Sequence, residues 1–265
     1  MQVEFRPAPA GSGVVFVRRD LQPARRIPVC AANRIEIPRR TSLAHQGARV
    51  EMVEHILAAL AGLEIDNCEI RVDAAEMPGC DGSSLPFVLA LQAAGVVLQD
   101  APRGQLIVRE LVRVGSDDSW VEARPALHGG LHVQYRLDYG RQGPIGRQTF
   151  KTRLTRDVFV RELAPARTFI LKQEAEWLRS QGLAQRASQH DVLVFDEYGV
   201  IDNQLRFENE CVRHKTLDLI GDLALAGCEI VGQIVAHRSG HRLNAELVRA
   251  LLTEGELRQA RRVTA

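Results

Sequence analysis

HKTLDLIGDLALAGCEIVGQIVA, residues 214–236, decides the fold. Leu217, Ile220 and Leu223 recur at helical spacing, and EIVGQIVA then follows as a short, β-branched, apolar run. A helix feeding directly into a strand is the reading. The same plan occurs earlier in EHILAALAGLEIDNCEIRVD, residues 54–73. His55 precedes Cys68-Glu69-Ile70 by 13 residues, and His214 precedes Cys228-Glu229-Ile230 by 14. Downstream, Gly82-x-x-Leu85-x-x-x-Leu89 is matched by Gly240-x-x-Leu243-x-x-x-Leu247. One supersecondary plan used twice predicts an α+β protein built from two similar units.

Working outward, VVFVRRDL reads as a strand. Residues 50–63 read as a helix with Val53, Ile56, Leu57 and Leu60 on one face, and CEIRVD as a strand. The turn PGCDGSS opens the helix LPFVLALQAAG, where Pro86 fits the first turn. Turn-formers in LQDAPRGQ, residues 98–105, place a boundary there, giving units 1–102 and 103–265. LIVRELVRV, WVEARP and LHVQYRLDY read as strands of the second unit. Residues 174–182 read as a helix and VLVFDE as a strand. HRSGH is the turn before the helix LNAELVRALL.

Composition narrows the function classes. With 265 residues, 45% hydrophobic and 25% charged, the chain can bury a substantial core. Net charge is +1 and aromatics are 5%, which argues against a nucleic-acid binder. No apolar run reaches membrane-spanning length, and MQVEFRPAPAG lacks the layout of a signal peptide. Five scattered cysteines without Cys-x-x-Cys read as reduced thiols of a cytoplasmic protein, and a monomer is the default state.

The chemistry concentrates in the two echoing helices. His214, Asp218 and Asp222 stand at i, i+4 and i+8, on one helix face. Such a row is either a solvated, salt-bridged face or half of a metal site. Glu54-His55 lies on the matching helix. If the two helices face each other, His55, His214 and Asp218 make three nitrogen and oxygen ligands, the number a catalytic zinc site takes. Glu54 then stands where metalloprotease helices carry a general base. Taken singly, His55 could equally be a satisfied core histidine. His241, at a turn before a helix, is either a general acid with Asp222 orienting it or part of an N-terminal cap with Ser239.

VEHILAALAGLEIDN, DGSSLPFV, ARTF, LRFENECVRHKTLDLIGDLALAG and SGHRLNAELVRALL together resemble the zinc-dependent UDP-3-O-acyl-N-acetylglucosamine deacetylase family of lipid A synthesis. The resemblance runs from Val3 to about Leu252, in the family's order. It implies two α/β sandwiches with helices packed face to face across an active-site cleft. It implies zinc on His55, His214 and Asp218, with Glu54 as general base, His241 as general acid, Asp222 as its partner and Thr168 stabilising the oxyanion. Lys215 and Arg238 fall where the family has basic side chains near the active site and diphosphate. Phe169 and Tyr139 are assigned to substrate binding with them, Tyr139 where an aromatic stacks on uracil. The implied partner is a nucleotide sugar that loses its N-acetyl group by hydrolysis.

Three stretches depart from the family. Its usual first strand and Gly-Leu-His-Ser-Gly-like turn do not precede VEFRPAPAG, so the chain is truncated or its first sheet is built differently. Ile170 and Leu171 follow ARTF in place of glycine and an aromatic. Gln185, Arg186, Gln189 and His190 replace small or apolar residues beside the passage for the acyl chain. A buried unpaired charge is costly, so Arg186 either points into water or disfavours an acylated substrate. The alternative expectation is therefore a paralogous zinc deacetylase acting on another, non-acylated N-acetyl sugar. A non-enzymatic binding protein of the same fold fits an intact set of polar groups poorly.

Overall fold

The computed structural model describes residues 1–182 and 192–260, and their fold is α+β. Gln185, Arg186, Gln189 and His190 lie outside the described residues. The chain opens with β1 (Val3–Pro7), β2 (Val14–Arg18) and β3 (Arg25–Pro28), then β4 (Arg34–Ile37), β5 (Arg40–His45) and β6 (Ala48–Glu51). Helix α1 (Glu54–Gly62), β7 (Cys68–Val72) and α2 (Leu85–Ala94) follow. Next come β8 (Arg103–Ile107), β9 (Val112–Gly115), β10 (Trp120–Arg124), β11 (Leu131–Asp138) and β12 (Arg147–Arg153). The remainder is β13 (Phe169–Leu171), α3 (Lys172–Ser180), β14 (Leu193–Phe195), α4 (Glu210–Leu223), β15 (Glu229–His237), α5 (His241–Glu254) and β16 (Glu256–Ala260).

The echo in the sequence reappears in strand pairing. β7 pairs antiparallel with β1 on one side and parallel with β2 on the other, and β3 pairs antiparallel with β2. β15 pairs antiparallel with β10, parallel with β11, and β12 pairs antiparallel with β11. In each case one helix precedes the central strand and another follows it. Each set also carries an insert in the same place: the β4–β5–β6 sheet before α1, and the β13–β14 pair with α3 before α4. β8 and β16 extend the larger sheet at the start of β15.

Helices α1 and α4 pack against each other. The expected face of α1 is buried, with Val53 and Ile56 at 0% exposure and Leu57 at 1%. Helix α4 is buried almost throughout, its polar residues included, so it lies between layers rather than on the surface. At Gly221 a Cβ would sit 2.1 Å from the Glu54 carbonyl oxygen, which only glycine avoids. Gly221→Ala is therefore expected to push α1 from α4 and destabilise the protein by about 1–3 kcal/mol, the usual cost of overpacking. Thermal unfolding checks it, and an unchanged midpoint would mean the two helices do not touch there.

Several boundaries differ from the sequence reading. The helix expected over 50–63 begins only at Glu54. Val50 and Glu51 belong to β6, where Val50 pairs with Leu43 and Glu51 with Ser42, and Met52 turns the chain at φ +59°. LIVRELVRV is two strands, because β8 pairs with β15 while β9 pairs with β10. The helix expected over 174–182 runs from Lys172 to Ser180. Among the described residues no helix is long and apolar enough to cross a membrane.

Candidate active site

Helices α1 and α4 carry the donors. His55 is the second residue of α1; His214 and Asp218 are one turn apart on α4. Asp218 Oδ1 is 3.5 Å from His55 Nε2 and 3.4 Å from His214 Nε2. The two imidazoles meet edge to face with centroids 5.1 Å apart. One ligand atom from each of the three residues lies within 4.8 Å of the others, so the group can hold a metal ion. The chemistry of the set fits a borderline metal such as zinc: two imidazoles, one carboxylate and room for a further ligand.

The surroundings orient these donors. His214 Nδ1 is 3.1 Å from the Ala166 carbonyl, an acceptor only, so Nδ1 carries the proton and Nε2 offers its lone pair. Burial pushes the His214 imidazole down to about 4, which keeps it neutral. Burial works against ionised Asp218, but the charges of Lys215 and His241 hold its carboxyl well below the usual range. Lys215 Nζ donates to Asp218 Oδ2 at 2.6 Å. Burial opposes the lysine's charge too, yet Asp218 and Tyr135 leave its pKa raised. The Ser84 hydroxyl donates to the His55 carbonyl at 2.7 Å, tying the start of α2 to α1.

Glu54 and His241 flank the donors. Glu54 opens α1, where the helix dipole suits a carboxylate. Its Oε2 accepts the Thr41 N–H at 3.0 Å. Burial pushes its carboxyl up, against the pull of His241 and His55. His241 opens α5. Its Nδ1 donates to Asp222 Oδ2 at 2.9 Å, leaving Nε2 as the outward nitrogen. Burial lowers the imidazole pKa, but the Asp222 charge and hydrogen bond, with Glu54 and Asp218 beyond, push it up to about 9. The capping alternative fails for both residues: Gly240 is the N-cap, no side chain caps α5, and the Ser239 hydroxyl donates to Asn244 Oδ1 at 2.9 Å.

Glu54, His55, His214, Asp218 and His241 line one cavity of about 660 Å³. The two inserts wall it, with Ile37 and Arg39 from one side and Phe169, Ile170, Leu178 and Val194 from the other. A family model described as UDP-3-O-acyl N-acetylglycosamine deacetylase matches residues 1–253. The chain belongs to this deacetylase family. A relative from Shewanella violacea, named UDP-3-O-acyl-N-acetylglucosamine deacetylase, is 42% identical over 257 residues, which cover 95% of this chain and 83% of the relative. Relatives of the same name from Shewanella baltica and Shewanella oneidensis are 42% and 41% identical over 255 residues, each covering 95% of this chain and 83% of the relative.

The remaining residues expected from the deacetylase family are placed unevenly. Thr168, Phe169, Tyr139 and Lys215 line the cavity. Thr168 is held by its N–H to the Gly82 carbonyl at 2.8 Å and by its carbonyl to the Leu193 N–H at 2.9 Å. Just before it, buried Arg167 donates through N–H and Nε to Glu210 Oε1 at 3.0 and 2.9 Å, fixing the segment to α4. The Phe169 ring stands edge to face with Tyr139 at 5.8 Å and with His214 at 6.3 Å. Arg238 is exposed and is not in the cavity wall; its carbonyl accepts the Ser119 hydroxyl at 2.9 Å.

Sequence reasoning missed Thr41 and Asn244. Asn244 Nδ2 donates to Asp222 Oδ2 at 2.8 Å. It stands three residues after His241 on α5, so helical spacing carried a usable signal. Nothing in the spacing announces Thr41, which reaches the site from a strand.

Proposed function

We propose that this chain hydrolyses the N-acetyl group of UDP-3-O-acyl-N-acetylglucosamine, releasing acetate and the free amino sugar. The observation that carries the reading is the convergence of His55, His214 and Asp218 between Glu54 and His241 in one cavity. The family relatives bear the name of that activity. His55, His214 and Asp218 would hold zinc, which in a three-donor site supplies Lewis acidity that acidifies water and polarises a carbonyl.

The chain's own groups do the rest. Glu54, whose carboxyl burial pushes up and whose Oε2 accepts the Thr41 N–H, takes a proton from the attacking water. The water oxygen joins the acetyl carbon. The Thr168 hydroxyl donates to the oxyanion that forms on the former carbonyl oxygen. His241 is protonated, because Asp222 raises its pKa to about 9, and it gives a proton to the departing nitrogen. The carbon–nitrogen bond breaks, the oxygen leaves in acetate, and the amine keeps the proton. Lys215 holds Asp218 ionised and adds positive charge to the cavity, and exposed Arg238, outside its wall, offers charge to a diphosphate that reaches past the rim. Phe169 and Tyr139 offer ring faces and edges for a base or sugar.

We read the chain as two α+β units, 1–102 and 103–265, facing each other through α1 and α4, and the repeated strand pairing supports this. Apolar Ile37, Met52, Ile170, Leu178, Val192 and Val194 along the cavity suit an acyl chain. Burial pushes the thiols of Cys68 and Cys211 up to about 11 and 12, in keeping with unreactive cysteines of a cytoplasmic enzyme.

Acetate release by the zinc-loaded protein tests the reading. The 3-O-acylated UDP-N-acetylglucosamine and its non-acylated parent are compared side by side. A strong preference for the acylated sugar is expected. Release from the parent alone would move the chain to another N-acetyl sugar.

A further inference from the structure

The Thr41 hydroxyl makes contacts that no role above uses. Thr41 is the second residue of β5 and 0% exposed. Its N–H donates to Glu54 Oε2 at 3.0 Å, and its carbonyl accepts the Val53 N–H at 3.2 Å. Its hydroxyl donates to Asp222 Oδ1, and Oγ1 lies 3.2 Å from His241 Nδ1. One residue thus touches the carboxylate on α1, the histidine on α5 and the aspartate on α4. We propose that Thr41 is a positioning residue for the deacetylation, its hydroxyl aligning the Asp222–His241 pair while its backbone aligns Glu54. This inference rests on the function proposed above.

Asp222 is 0% exposed and ionised it only accepts. Oδ2 is satisfied by Asn244 at 2.8 Å and by His241 at 2.9 Å, while the Thr41 hydroxyl serves Oδ1. Removing that hydroxyl leaves a buried oxygen without its donor, and the carboxylate then gains by turning toward another. A turned Asp222 misaligns Nδ1 and swings the opposite nitrogen, the one that must reach the leaving amine. Threonine suits the place because its one proton goes to Asp222 while its lone pairs face Nδ1. A residue present only to fill space would be replaced by valine without consequence, since valine has the same shape.

The tether to Glu54 is main chain and survives any side-chain change, so variants at Thr41 read the hydroxyl alone. Steady-state kinetics on the acylated sugar would compare wild type, Thr41→Val, Thr41→Ser, His241→Gln and the Thr41→Val/His241→Gln double variant, all metal-loaded. Thr41→Val should lower kcat by about 10–100-fold, the range for loss of a group that orients a functional ligand, with KM little changed. Thr41→Ser should recover most of it. In the His241→Gln background the valine should cost little, because the two changes then act on one unit. Unchanged kcat in Thr41→Val, or the same loss with His241 already gone, overturns the proposal. Thr41→Ala carries the same expectations should valine fail to fold.

A second readout needs no substrate. The imidazole Nδ1–H resonance of His241, assigned by its disappearance in His241→Gln, should be present in wild type and Thr41→Ser and shifted or broadened in Thr41→Val. An unmoved resonance overturns the role of Thr41. Wild type that releases no acetate from either sugar overturns the function instead, and the resonance still decides Thr41.

Discussion

Glu54→Gln is expected to hold its metal and lose turnover by about 10²–10⁴-fold, the contribution of a positioned general base. Glutamine keeps the shape and can still accept the Thr41 N–H that Glu54 Oε2 accepts at 3.0 Å. It cannot take a proton. The metal should stay because Glu54 is not among the three residues whose donor atoms converge. The buried carboxylate makes the test sharp. Its raised pKa is set mainly by burial, so the neutral amide suits that environment at least as well and the fold should not suffer. Metal content and kcat measured on the same preparation separate the outcomes. Equal loss of metal would make Glu54 a ligand, and wild-type turnover would remove it as the base.

How much of this was legible depends on where each signal lives. His214 and Asp218 could be paired from spacing alone, because a helix fixes which residues share a face. Their relation to His55 was legible only through the repeat, since α1 and α4 are far apart in sequence and meet by tertiary packing. Gly221 is the sequence trace of that meeting, but a glycine inside an apolar helix has many readings. The start of α1 was misplaced because Val50 suits a buried strand and a buried helix alike, and hairpin pairing with Leu43 settles it. Thr41 was invisible for a stronger reason. It belongs to a three-stranded insert whose only link to the site is where that insert comes to rest. The resemblance to the deacetylase family carried Thr168, Phe169 and Tyr139, none of which periodicity would have selected.

His214→Ala should weaken metal binding by more than the ~10–100-fold typical when a supporting hydrogen bond behind a ligand is lost, because it removes a donor outright. His214 is 3% exposed, neutral, and fixed by its bond to the Ala166 carbonyl, and alanine leaves His55 and Asp218 as the remaining donors of the group. Asp218 would remain, but Lys215 Nζ already occupies Oδ2 at 2.6 Å and competes for the charge a metal would need. The cavity left by the missing ring will itself lower stability, so a lower melting temperature alone decides nothing. The discriminating quantity is the shift produced by zinc. A ligand that binds only the folded state stabilises it by mass action, so wild type should melt higher as zinc is added. His214→Ala should show little or no shift at the same zinc concentrations. A shift equal to that of wild type would remove His214 from the metal site and leave its neutral, hydrogen-bonded imidazole as a core residue.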